Sequence, residues 1–274
     1  MFEISDVIFE ISVVAITFVL TKSHYYFTKY RKFKKFKAVF GSGVSLSKDI
    51  AFSLPLWSAL KGENRGDRYN KSLHDSDGNI IHSENLYGPD QTYAKADILG
   101  VNNILVLVNK YIVDPVDFIS DNEEISSEEK SVIYVGAPIA NYHVREILDS
   151  NKSISWDIDL IDTVETKECP ERFFFKKDEE EFHTDDKYGY AAIYKCKLHP
   201  KYISYLIFGQ HESGTEAATR FFTNKFEEIS SYEDNMVILL KAPKNKLKTG
   251  KIEVVYESKK IKKSIIFKIM DFIF

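Results

Sequence analysis

At 274 residues, 44% of them hydrophobic, the chain suffices for one sizeable domain with an appendage. Its formal net charge of −4 is unevenly spread: seven cations fall between Lys22 and Lys37, leaving the remainder at about −11, an acidic body that argues against a nucleic-acid partner. Cys169 and Cys196 lack CxxC spacing and the seven histidines form no HxxxH or HExxH, which argues against a disulfide-stapled secreted domain and a structural zinc site; no metal and no cofactor is expected.

The first element is an apolar run, residues 7–21, backed by the basic run. Glu3, Asp6 and Glu10 precede it and no base does, so the charge asymmetry places its C-terminal side in the cytosol. The run from 11 to 21 is shorter than the about 20 residues of a spanning helix. Tyr25, Tyr26 and Phe27 extend it as an aromatic belt, and Lys22 can snorkel to the interface. The expectation is one N-terminal transmembrane helix over 1–27 and a basic juxtamembrane linker over 28–48, with an interfacial or core helix as the alternative. Residues 7–37 are then the membrane-lipid contact, and the protein is expected in a cell inner membrane as a single-pass protein with a cytoplasmic C-terminal domain.

Residues 49–57 read as a buried strand ending at Pro55, and 61–92 as a long polar loop. Over 93–110, Ile98, Val101, Ile104, Leu105 and Val108 recur with helical spacing. An acidic segment covers 121–130. Residues 131–136 form a short continuous apolar strand of the kind covered on both faces of a parallel sheet. A helix follows to about 148, then strands over 172–176 and 190–197 separated by an acidic loop, 178–186. Residues 202–209 are another apolar strand and 215–226 a helix with Ala217, Ala218, Phe221, Phe222 and Phe226 on one face. Strands over 236–241 and 252–257 close an α/β domain spanning 49–260, and 261–274 form an amphipathic tail that lies on a membrane or docks on the core. The alternation of strands and helices predicts a Rossmann-like, mostly parallel sheet with helices on both faces.

Two strand-to-helix turns carry the candidate site. One is Gly136-Ala137-Pro138-Ile139-Ala140-Asn141; the other runs from Gly209 through His211-Glu212-Ser213-Gly214-Thr215 to Ala217-Ala218. Glycine lets backbone approach a ligand, and a new helix offers free amides to an anion. In open α/β sheets ligands sit at the carboxyl ends of strands. Gly136, Pro138, Asn141, Gly209, Ser213, Gly214 and Thr215 are therefore the expected ligand-binding residues. Asn141 and Thr215 also suit helix N-caps, and Glu216 in the first turn would repel a phosphate. His211, Glu212 and Asp97 are the acid–base candidates by residue type, and Asp185 or Asp186 a carboxylate source.

These motifs, with Asp97 before an amphipathic helix, Lys187-Tyr188-Gly189 and His199-Pro200, resemble a bacterial Rossmann-like α/β domain without an assigned activity. That domain carries Gly-Gly-Pro-x-x-Asn and Gly-x-x-x-x-Gly-Thr-x-Ala-Ala, and the likeness covers about 49–257 in order. The chain departs from it at Ala137, Lys187 and His199. The resemblance implies the fold and the location of a site, and the domain's varied fusions imply a sensor or adaptor. The function expected is a membrane-anchored cytosolic sensor or effector, as in bacterial defence signalling, that binds a small anionic ligand of nucleotide type, in a chain able to self-associate. A nucleotide- or nucleoside-processing hydrolase and a ligand-free protein-interaction module are the alternatives.

Overall fold

The computed structural model describes residues 4–45, 49–55, 95–111, 115–120, 125, 130–138, 140–150, 157–163, 173–244 and 251–258. The loop read over 61–92, the tail 261–274 and Cys169 lie outside the described residues.

The chain begins with α1, Ile4–Phe40, a single helix of 37 residues. Gly41, at a φ of +104°, ends it and returns its amide to the Lys37 carbonyl at 2.8 Å, and a side chain there would collide with the Lys201 carbonyl. Among the described residues no helix is long and apolar enough to cross a membrane. This corrects the expected transmembrane anchor. The uninterrupted apolar run rises only about 16 Å, half of a hydrocarbon core of about 30 Å, before Lys22 ends it. The basic stretch beyond it continues the same helix, and Phe36, Val39 and Phe40 are fully buried in the core.

The body follows as β1 (Ile50–Leu54), α2 (Lys95–Val108), β2 (Asp117–Ser120), β3 (Ser131–Val135), α3 (Tyr142–Ser150), β4 (Asp159–Asp162), β5 (Phe173–Lys177) and β6 (Glu180–Phe182). Then come β7 (Tyr188–Cys196), β8 (Ser204–Gly209), α4 (Glu212–Asn224), α5 (Phe226–Ile229), β9 (Val237–Pro243) and β10 (Glu253–Glu257). Seven strands form one sheet in the order β10-β9-β7-β8-β3-β1-β2. The pairs β1–β2, β1–β3 and β3–β8 are parallel. Those made by β7 with β8 and β9, and by β9 with β10, are antiparallel. The sheet is thus mixed, not mostly parallel. The link from β7 to β8 is too short for a crossover helix, so β8 must return antiparallel beside β7.

Alternate residues of each strand divide between two cores. Ile133, Val135, Ile193 and Ile207 face one side, packed with Phe36 and Phe40 of α1, Ile104 of α2, Phe222 of α4 and Phe226 of α5. Val132, Tyr134, Tyr194 and Phe208 face the other, under α3 and the antiparallel sheet β4-β5-β6. Among the described residues the second face therefore carries one helix and a small sheet, instead of the flanking helices expected of a doubly wound domain.

Candidate functional site at the carboxyl edge of the sheet

Since β3 and β8 are parallel neighbours, with Val135 opposite Ile207, both glycine turns leave the sheet at the same edge. The β9 strand runs the same way, and Lys244 follows its end there. From β1 the chain crosses through α2 on the first face to β2; from β3 it passes through α3 on the second. The carboxyl ends of β1 and β3 thus form a topological switch point, where such sheets leave a crevice.

Gly136 sits at that point with a φ of +114°. A Cβ on it would lie 2.9 Å from Pro55 Cγ and 3.2 Å from Asp97 Oδ2, so conformation and space both require glycine. Asn141, fully buried, spans the same point. Its amide nitrogen donates to the carbonyls of Ser53 at 3.3 Å and Val135 at 3.1 Å, and its Oδ1 accepts the Val144 amide at 3.3 Å. One side chain therefore clasps both strand ends and caps α3. Beneath it, Ser53 Oγ and His143 Nδ1 pair at 2.9 Å in a buried contact. Pro138 is buried within the turn.

At the second turn, Gly209 and Gly214 let α4 approach β8 very closely; a Cβ on Gly209 would lie 2.6 Å from Gly214 Cα. Thr215 is buried and its hydroxyl accepts the Gly209 amide at 3.2 Å. Gln210 accepts the Tyr190 amide and donates to the carbonyls of Phe173 at 3.2 Å and Phe182 at 3.0 Å, tying the small sheet to this edge. Asn141, Gly209, Gly214 and Thr215 thus assemble the walls, with their polar atoms engaged inside the protein.

The open space lies beside these turns. A cavity of about 480 Å³ is lined by Ala96 and Leu99 of α2, by His211, Glu212, Ser213 and Glu216 at the start of α4, and by Lys244. His211 packs over Gly189, with its Nε2 2.9 Å from Thr184 Oγ1. That hydroxyl donates to the Tyr188 carbonyl at 3.0 Å, so the imidazole Nε2–H is the donor to Thr184. Glu212 is exposed in the first turn of α4, where the helix dipole favours a carboxylate.

Asp97 lies one residue from the lining, in the first turn of α2. It is 6% exposed and has no hydrogen bond or ion pair among the described residues. Burial, and then the charge of Glu212, push its carboxyl up to about 7. Asp97, Glu212 and His211, read singly from the sequence, are thus gathered at one corner. Asp185 is spent elsewhere: its Oδ1 accepts the amides of Lys187 and Tyr188 at 2.7 Å each, which hold its carboxyl below the usual range. Among the described residues no group of three His, Cys, Asp or Glu side chains is placed to hold a metal ion.

Ala96, Leu99, Glu216 and Lys244 were absent from the residues expected at the site. Glu216 had a signal, its place one helical turn from Glu212; Lys244 had none, since its position depends on β9 pairing with β7, on the far side from β8. Comparison of the chain with family models, with curated proteins and with solved structures finds no match.

Proposed function

We propose that the carboxyl-edge cavity binds a small, hydroxyl-bearing ligand of nucleoside or mononucleotide type. The observation that carries this reading is Asp97: a buried carboxyl with no hydrogen bond or ion pair among the described residues, beside a cavity at the carboxyl edge of the sheet. Burying a polar group without a hydrogen bond costs stability, and such groups are retained where a ligand uses them. The lining supplies an apolar wall, Ala96 and Leu99, for a planar ring, and carboxylates, Glu212 and Glu216, for hydroxyls. Among the described lining residues Lys244 alone is a Lys or Arg, so the site suits a neutral ligand or a single phosphate better than the strongly anionic ligand expected from the glycine turns. Thermal-shift and calorimetric titration with nucleosides, mononucleotides and dinucleotides tests it. The expected result is millimolar or tighter binding of one of the first two classes, lost in Asp97→Asn and Glu212→Gln. Binding that survives both changes, or none by any class, overturns it.

The pairing of Asp97 with Glu212 supports a second reading, hydrolysis of an N-glycosidic bond in that ligand. Asp97, protonated near neutral pH, gives its proton to the departing base as the carbon–nitrogen bond breaks. Water forms the new carbon–oxygen bond and yields a proton to Glu212. Release of free base from a bound nucleoside, abolished in Asp97→Asn, supports it. A ligand recovered intact after prolonged incubation restricts the site to binding.

A further inference from the structure

We propose that α1 lies on an anionic bilayer surface and holds the body there. From Val13 to Arg31 the helix projects from the core: the described side chains in this stretch are exposed apart from a half-buried Thr28, and burial begins only near Phe33 and Phe36. Val13, Ile16, Leu20, Phe27 and Tyr30 recur at steps of three, four and seven residues, so they share one side of the helix. Leu20 is 64% and Tyr30 66% exposed, a large apolar outlay for a helix in water. Thr17, Thr21, Lys22, Thr28, Lys29 and Lys32 fall on other sides, while Ser23 and Arg31 share the apolar one. The stripe extends about 25 Å along the axis, enough to seat a helix in the headgroup boundary.

Charge selects the occupant. Seven cations and no acid lie between Lys22 and Lys37. Two copies packed side by side in parallel would bring these charges together and repel. Anionic headgroups complement them, at a gain near the surface of about a factor of five for each Lys or Arg. Arg31 over Phe27 at 5.7 Å places cation and ring together on the apolar side, as at an interface of headgroups and acyl chains. Exposed Tyr26, at the flank of the stripe, adds an aromatic residue of the kind enriched there. The C-terminal turns of α1 are locked into the core by Phe36, Val39 and Phe40, and the Tyr205 hydroxyl donates to the Val39 carbonyl at 2.8 Å. The arm is therefore a rigid extension of the body, and a bilayer that holds it also sets the orientation of the body.

Flotation of the full chain with phosphatidylcholine vesicles, with and without phosphatidylserine, tests the proposal. Expected is co-flotation that depends on phosphatidylserine, falls with salt, and drops at least about tenfold in Ile16→Ser with Leu20→Ser and in Lys29→Gln with Arg31→Gln. Alkaline carbonate should release the bound chain. Equal flotation with neutral vesicles, retention after carbonate washing, or no flotation together with a concentration-dependent dimer in sedimentation would each overturn it. Neither double change touches the core, so a native melting temperature in both variants keeps a loss of flotation attributable to the arm.

Discussion

Asp97 makes the sharpest residue-scale prediction. Its carboxyl is raised from 3.8 to about 7, chiefly by burial. Between those values the folded state holds a proton that the unfolded chain has released, so stability falls as pH rises through that window, by up to roughly 4 kcal/mol. Urea unfolding of Asp97→Asn should lose that pH dependence. The variant should exceed the parent by about 2–4 kcal/mol near pH 8 and match it to about 1 kcal/mol near pH 4. A gain in stability with a loss of ligand binding marks a group kept for function. Asn141 should behave oppositely. Asn141→Ala removes a side-chain donor from two strand-end carbonyls and uncaps α3, and should cost about 2–4 kcal/mol by the same measurement at any pH. Asn141 was legible as a site candidate from its strand-to-helix turn, and Asp97 by residue type at the start of an amphipathic helix. What the sequence could not show is that the Asn141 amide is engaged by backbone while the Asp97 carboxyl has no hydrogen bond among the described residues, because partners 88 residues apart, as for Asn141 and Ser53, meet only after folding.

At the scale of the element, the α4–β8 contact depends on two glycines facing each other. Gly209→Ala forces a methyl group into the Gly214 backbone, where no rotamer can yield, and should lower the thermal midpoint by at least about 10 °C. The other decisive element is α1. Phe36 stacks on Tyr111 with centroids 4.8 Å apart, and Phe40 meets Tyr205, Phe222 and Phe226 within 6.3 Å. Phe40→Ala should cost about 3–5 kcal/mol in denaturant unfolding, whereas a polar change at exposed Tyr30 should cost under about 0.5 kcal/mol. The basic composition at the start of residues 28–48 reads as a linker because cations dominate it. Three apolar residues at helical spacing, Phe36, Val39 and Phe40, were enough to dock it, and their burial outweighs the charge around them since Lys32 and Lys34 are exposed and Lys35 pairs with Glu227.

For the whole molecule, the sheet divides the body into two cores and leaves one edge where strand ends, the starts of α2 and α4, and Lys244 converge. Removing the exposed arm through residue 31 should leave the melting temperature within about 3 °C of the parent; removing residues through 44 strips Phe36, Val39, Phe40 and Val44 from the first core and should abolish cooperative unfolding. Calorimetry on the two truncations separates an appendage from a structural helix.

What the sequence determined alone is local: the apolar strands β1, β3 and β8, the helices α2 and α4 by their 3.6-residue periodicity, and the glycines that mark two bends. These follow from side-chain spacing and backbone sterics within a few residues. Tertiary structure alone decided the mixed direction of the sheet, the small sheet over its second face, the docking of α1, and the gathering of Asp97, Glu212 and Lys244 around one cavity. Each of these depends on which distant segments share a face. That choice is made by burying the most apolar surface at once, a sum over the whole chain that no window of sequence contains.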